Sequence, residues 1–421
     1  YTTNNLTEEK INKKDAELEV KTFHVPFSLE EIKENIIVST ASSYKHSKEE
    51  IIDQAAKFYL QGKISEAAKL YQNLINQGIK DHKVYSNYGI ILKAQGNLQE
   101  AEKKFRKAIE IKTDYAKAHT NLGVILKGLG KLKEAELYLR KAIELDPNSE
   151  EANYNLSLIL LRLNKFKEGF IRYESRWKTR GMNKPFITSK PEWEPMQRGR
   201  VLLWAEQGIG EEILVASLIS ELVDKVDTLI FQVDKRLIPL FKRSFDKRII
   251  YIQKNKILEE EKYDSQISIC SMIRYLRDET ESFKKGKRKY LKVNEKKTMI
   301  FKDNILKDSQ AKKIVGISWC SKSQKHKDKS ISLVKFILGI NSQNICFLNL
   351  QYGDTKDEIN KIKKKYNIDI FDLEEVDKFN NIDDLASLIN ACDMVVSIEN
   401  ITSVLAGALG INSKILLKRN C

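Results

Sequence analysis

Gly96-Asn97-Leu98-Gln99-Glu100-Ala101-Glu102-Lys103-Lys104-Phe105 returns 34 residues later as Gly130-Lys131-Leu132-Lys133-Glu134-Ala135-Glu136-Leu137-Tyr138-Leu139. The same step backwards reaches Gly62, Ala67 and Tyr71, and forwards it reaches the small Gly169 and the large Tyr173. A constant period of this length marks a stack of helical hairpins. The glycine supplies the turn between paired helices without a Cβ penalty, and the small residue lets the two helices approach. The large residue, four after the small one, is expected to fill the groove against the next hairpin. Asp146-Pro147 closes the third repeat, because proline lacks the amide that would carry the helix on. Three clear repeats and a degenerate fourth over 153–177 therefore predict an α-solenoid across 49–180, long enough for neighbours to bury a shared core.

The period is that of the tetratricopeptide (TPR) repeat. Such an array presents a concave surface suited to an extended peptide or a partner helix, and serves equally as a spacer or dimerisation element. Residues 1–48 are polar and mixed in charge and read as a mobile leader, with one short amphipathic stretch at 29–37.

After the fourth repeat the pattern changes to strand, turn and helix in alternation, which predicts parallel sheets covered by helices. Strands are expected at 200–205, 228–233, 249–253 and 265–270, with an apolar helix at 213–223. A Lys-rich segment, 283–313, then intervenes, and a second series follows at 313–319, 345–351, 368–373, 394–398 and 414–417. The expected fold class is multidomain, α plus α/β: a solenoid, then two Rossmann-like lobes at 181–300 and 301–421 facing one cleft.

Composition bounds the rest. A chain of 421 residues that is 42% hydrophobic holds two or three domains of ordinary size. No apolar run reaches the roughly 18–20 residues that a membrane-spanning helix needs, and the polar start Tyr1-Thr2-Thr3-Asn4 does not resemble a secretory signal. A soluble, cytoplasmic protein is expected. Cys270, Cys320, Cys346, Cys392 and Cys421 form no CxxC pair, so neither a zinc site nor a disulfide framework is visible. The 73 Lys and Arg against 58 Asp and Glu give a net charge of +15. These lysines are scattered rather than gathered in a stripe with aromatics, which disfavours a nucleic-acid partner.

Several strand ends carry polar groups suited to a phosphorylated ligand. Gln207, Gly208 and Gly210 lie between a strand and a helix, where helix amides can meet an oxyanion; a tight connection explains the glycines as well. The third glycine of a dinucleotide fingerprint is absent, Ile213 standing in its place. Glu211 follows, either a general base or an acid in the first helical turn favoured by the helix dipole. In the second series Ser318, Lys322 and Lys329 suit a diphosphate, or belong to a solvated basic loop. Gln351 could read a base or ribose edge, and Tyr352 and Gly353 form the turn after it. Asn400, Thr402 and Ser403 open a helix rich in small residues, as phosphate contacts or with Thr402 or Ser403 as its cap.

In order, these segments resemble the bacterial tetratricopeptide-plus-glycosyltransferase family, whose catalytic region is of GT-B, heptosyltransferase-like type and is distantly similar to protein O-GlcNAc transferases. The resemblance rests on Gly169-Phe170-Ile171-Arg172-Tyr173-Glu174-Ser175-Arg176-Trp177, on Glu206-Gln207-Gly208-Ile209-Gly210-Glu211-Glu212, on Gly316-Ile317-Ser318-Trp319, on Asn349-Leu350-Gln351-Tyr352-Gly353 and on Ala406-Gly407-Ala408-Leu409-Gly410. It implies a nucleotide-sugar donor held mainly by the second lobe, inversion at the anomeric carbon, no metal, and no cofactor beyond the sugar nucleotide as co-substrate. The acid after the glycine loop would be the base; that position is Glu211, where the family usually has aspartate. Val404 stands where the family usually carries histidine. The chain ends at Cys421 where the family continues, so either the piece is truncated or the second lobe is incomplete. Two functions follow: a hexosyl- or heptosyl-transferring enzyme whose repeats hold the acceptor or a protein partner, or an inactive TPR scaffold.

Overall fold

The computed structural model describes residues 47–179, 181, 184–284, 286, 289–307, 313–321, 329–340 and 344–417. The stretch 29–37 and Lys322 lie outside the described residues. The chain divides into two compact units, ending and beginning at Ile111 and Lys112.

The first unit pairs helix Lys48–Leu60 with Ile64–Asn76, and His82–Ala94 with Leu98–Ile111. The second opens with Ala116–Gly128 and Leu132–Leu145, then Glu150–Arg162 and Phe166–Tyr173. Gly62, Gly96 and Gly130 hold φ of 75, 80 and 76°. Asn164, one period beyond Gly130, keeps the same left-handed turn at 59°, the non-glycine residue that tolerates it best. At each turn the next amide bonds a carbonyl five residues back at 2.9 Å: Lys63 to Phe58, Asn97 to Leu92, Lys131 to Leu126, Lys165 to Leu160. This closure satisfies the orphan carbonyls of every first helix in the same way.

The periodic small residues Ala67, Ala101 and Ala135 are fully buried, and so are Phe105 and Leu139. A Cβ on Gly89 would stand 2.9 Å from the Phe105 ring, and one on Gly123 would stand 2.5 Å from Leu139 Cγ. The large residue thus fills space inside its own hairpin, over a second small position on the first helix, instead of only the groove against the next.

Strands β1 (Arg200–Trp204), β2 (Thr228–Val233), β3 (Ile250–Gln253) and β4 (Ser265–Ser268) form a parallel sheet in the order β3-β2-β1-β4. A second parallel sheet, β7-β6-β5-β8-β9, contains β5 (Lys313–Ser318), β6 (Ile345–Asn349), β7 (Ile370–Phe371), β8 (Met394–Ile398) and β9 (Ser413–Leu416). In both, the chain winds outward from the first strand and then returns to its other side. That reversal places a crevice at the carboxyl ends of β1 and β4, and of β5 and β8.

Two local differences from the sequence expectation matter. The helix expected from Ile213 begins at Ile209 and is broken by a 3-10 turn over Ala216–Leu218 before Ile219–Val223. The Lys-rich segment contains helix Glu295–Lys307, whose Thr298, Phe301 and Ile305 are buried; charge masked a sparse apolar stripe. That helix packs on Ile382–Asn390, where Thr298 donates to the Ser387 carbonyl at 3.2 Å. One buried core runs through Val201, Leu203 and Phe231 of the first sheet and Ile314, Leu348 and Val395 of the second. The two sheets therefore share a core.

Gly123→Val is expected to destabilise the protein by about 1–3 kcal/mol through overpacking against Leu139, read by urea denaturation; a change below about 0.5 kcal/mol would show that Leu139 yields freely. A second expectation concerns acid. Arg140 Nη2 lies 2.7 Å from Glu168 and 2.9 Å from Glu136, and Arg172 reaches Glu168 at 2.7 Å. Hydrogen bonding from Arg140, with Arg172 added, outweighs burial and holds the Glu168 carboxyl at about 2. Because the folded value lies below the unfolded one, the stabilisation is full above about pH 4.3 and lost as pH falls towards about 2. Arg140→Gln should flatten the fall in melting temperature across that window; an unchanged slope would assign acid sensitivity to other carboxylates.

Candidate functional site

The last repeat ends in a 3-10 turn, Glu174–Trp177, which carries Arg176 into the carboxyl ends of β1 and β4. Arg176 is 1% exposed. Its Nε and Nη2 each reach the Glu206 carboxylate at 2.9 Å, Nη2 also donates to Ser271 Oγ at 2.7 Å and Ser268 Oγ at 3.1 Å, and Nη1 donates to Glu174 at 2.8 Å. The guanidinium also stacks on Trp177, 3.9 Å from the ring centroid. The crevice of the first sheet is thus occupied by a bidentate ion pair with its hydrogen-bonding capacity used internally.

The loop after β1 follows directly from Glu206. Gln207 donates from Nε2 to the Tyr173 hydroxyl at 2.9 Å, and its carbonyl accepts from Lys254 Nζ at 2.5 Å. Gly208 is the N-cap of helix Ile209–Val215, with no side-chain cap, and a Cβ there would lie 3.2 Å from Glu211 Oε2. A Cβ on Gly210 would meet nothing, so space does not demand glycine there. Glu211 is exposed, and no hydrogen bond is described for its carboxylate. Its neighbour Glu212 is buried, accepting from the Asp234 amide at 2.9 Å and from Lys254 at 3.2 Å; burial pushes its carboxyl up. Of three carboxylates in the loop, two are structural and one faces solvent.

In the second sheet the polar strand ends meet. Ser318 donates to Gln351 Oε1 at 3.0 Å and accepts from Asn400 Nδ2 at 2.8 Å; Ser397 donates to Asn400 Oδ1 at 3.0 Å. Gln351 is 1% exposed, and its Oε1 also accepts the Trp319 and Cys320 amides at 3.1 and 3.0 Å. That carboxamide fastens two strand ends together, so its oxygen is not open to a base edge. Tyr352 packs on Phe379, with centroids 5.7 Å apart, and Gly353 turns the chain at φ 86°. Lys329 pairs with Glu399 at 3.0 Å.

Helix Ile401–Leu409 begins from Asn400, whose Oδ1 accepts the Thr402 and Ser403 amides at 3.0 and 3.4 Å, while Ser403 Oγ accepts the Asn400 amide at 3.2 Å. The cap is therefore Asn400, where Thr402 or Ser403 was expected, and two amides that a phosphate would use already have a partner. Thr402 Oγ1 is buried with no hydrogen-bond partner among the described residues.

The structure brings Ser318, Gln351, Asn400, Thr402 and Ser403 to one sheet end, and at the end of the other sets Gln207 and Gly208 on a loop and Gly210 and Glu211 in the first turn of the helix that follows. Helices Ile209–Val215 and Ile401–Leu409 pack against each other, tied by Tyr290, which donates its hydroxyl to the Ile213 carbonyl and its amide to that of Ala408. Sequence reasoning missed the roles of Arg176 and Glu206, although both lie in motifs it singled out; an arginine beside two aromatics at the close of a repeat was the available signal. Among the described residues no three His, Cys, Asp or Glu side chains gather as metal ligands, and no helix is long and apolar enough to cross a membrane.

Tetratricopeptide-repeat models match residues 80–148 and 120–185. Protein FlbA of Caulobacter vibrioides is 28% identical over 264 residues, covering 58% of this chain and 44% of FlbA. The chain thus spans less than half the length of that curated relative. Among solved structures, the second TPR domain of human RPAP3 in complex with an HSP70 peptide is 27% identical, covering 26% of this chain and 91% of that one, at a TM-score of 0.25. The Pseudomonas aeruginosa protein pilF is 21% identical, covering 32% and 63%, at a TM-score of 0.30. Residues 80–185 carry tetratricopeptide repeats, and an α/β region with two parallel sheets follows them.

Arg176→Met leaves the Glu206 carboxylate buried and unpaired, and is expected to cost about 3–5 kcal/mol. Arg176→Met combined with Glu206→Leu should recover most of that loss in chemical denaturation. A single variant within about 1 kcal/mol of the parent would mean that water reaches the pair.

Proposed function

We propose that the chain transfers a glycosyl group from a nucleotide sugar to a hydroxyl acceptor with inversion, the donor lying along the carboxyl ends of β5, β6 and β8. The observation that carries this reading is the packing of helix Ile209–Val215, which holds Glu211 in its first turn, on helix Ile401–Leu409, which Asn400 caps. Support also comes from the winding of each sheet, which has the β3-β2-β1-β4 pattern of mononucleotide-binding Rossmann halves, where ligands lie outside the strand ends at the reversal. On this reading 181–300 and 301–421 are the two lobes of a GT-B-like enzyme. The first sheet's reversal is filled by Arg176, which leaves the second for the donor.

Glu211 is the base in this scheme. Its exposed carboxylate takes the acceptor hydroxyl's proton as that oxygen bonds the anomeric carbon, and the bond to the nucleoside diphosphate breaks with its electrons leaving on phosphate oxygen. Ser318, Lys329 and the first amides of helix Ile401–Leu409 meet the diphosphate once Asn400 releases those amides and Glu399 releases Lys329. Tyr352 and Gly353 border the same sheet end. The solenoid at 49–180 holds the acceptor or a protein partner.

A second reading, a TPR scaffold whose α/β region is inactive, is favoured by the internal satisfaction of Asn400 and Gln351. Glu211→Ala separates the two. Loss of a general base should lower kcat by about 10²–10⁴-fold with little change in donor affinity. Turnover unchanged by the substitution would remove Glu211 from the chemistry, and absence of turnover in the parent protein with every donor tried would favour the scaffold.

A further inference from the structure

A cavity of about 450 Å³ opens between the last repeat, the segment around Phe186 and the first sheet. The proposed transfer does not use it. Its wall is aromatic: Trp177 and Trp204 lie 5.4 Å apart between centroids, and Phe186 lies 5.7 Å from Trp204. Arg176, stacked on Trp177, and the Gln266 side chain, accepting from Trp204 Nε1 at 2.6 Å, fix two of these rings in orientation. Rings locked in this way offer an apolar patch at little entropic cost.

The polar lining decides what such a face would hold. Every carboxylate in it has a cation at hand: Glu150 has Lys178 at 3.2 Å, Glu192 has Arg274 at 2.9 Å, and Glu174 has Arg274 at 3.3 Å and Arg176 at 2.8 Å. An ionic ligand would find its counter-charge already paired. What remains is a set of adjacent acceptors and donors at fixed spacing, with the Gln266 amide nitrogen free to donate. Vicinal hydroxyls match that set, because each hydroxyl both donates and accepts.

We infer that this cavity binds a neutral pyranose ring, its C–H face on the Trp177, Trp204 and Phe186 wall and its hydroxyls on the Glu192–Arg274 pair and Gln266. The volume, within the usual range of about 300–1,000 Å³ for ligand sites, admits one or two rings. The site stands without the transfer reaction; where transfer occurs, it marks a glycan on the acceptor side.

The test is ligand-observed saturation-transfer NMR and tryptophan fluorescence on the full chain, with the methyl glycosides of glucose, galactose, mannose and N-acetylglucosamine. Glucuronate and arginine methyl ester serve as charged controls. Saturable binding of at least one neutral glycoside is expected, with a dissociation constant on the order of 1 mM. Phe186→Ala and Glu192→Gln should each weaken it by about fivefold or more while the melting temperature stays near that of the parent. Binding that survives both substitutions, a preference for either charged control, or no binding of any neutral glycoside would overturn the inference. Any nucleotide-sugar titration should be untouched by Phe186→Ala, so failure here leaves the donor reading standing.

Discussion

A guanidinium removed from water must satisfy five N–H donors or be expelled, and the fate of Arg176 sets the terms for everything downstream of the repeats. Its side chain is 2% exposed and its partner Glu206 1%, so neither ion has water as an alternative. The 3-10 turn over Glu174–Trp177, Trp177 stacked on the guanidinium, and Ser268 and Ser271 at the end of β4 are the geometry that makes this burial tolerable. Because Glu206 leads directly into the glycine loop, the pair also fixes where Gln207 to Glu211 begin. Lys254 fixes where they end, through the Gln207 carbonyl and Glu212.

That constraint gives the two sheets different prospects. They wind alike, but the first has its reversal point filled by protein, whereas the second ends in side chains, Ser318, Ser397 and Asn400, that bond one another and the start of a helix. On the proposed reading this asymmetry assigns the donor to the second sheet and leaves the first to present the base. Close packing of Ile209–Val215 on Ile401–Leu409 then keeps the two halves of the site together.

The repeats were legible because their signal is chemical and periodic. Gly62, Gly96 and Gly130 stand where φ is positive, and Ala67, Ala101 and Ala135 stand where helices touch. The second small position, Gly89 and Gly123, escaped notice because a glycine within a helix carries no turn signal of its own. Strands β2 and β8 were legible to the residue as short β-branched or apolar runs, while β7 shrank from six expected residues to Ile370 and Phe371. Helix Glu295–Lys307 was hidden by lysines around a buried stripe of three residues, of which only Phe301 and Ile305 are apolar. The candidate site was legible as strand ends and illegible as a network. Nothing local distinguishes an asparagine that caps a helix from one awaiting a phosphate, or Glu211 from the buried Glu206 and Glu212 beside it.

The most direct test of the central claim is a thermal-shift titration of the protein with UDP-, GDP-, CMP-, ADP- and dTDP-linked sugars, since a ligand at a hundred times its dissociation constant stabilises by about 2.7 kcal/mol. A saturable rise confined to one nucleotide, and reduced by Ser318→Ala, is the expected result. A flat response across the whole panel, from protein that melts cooperatively, would contradict the donor site and leave the repeats as the working surface of the molecule.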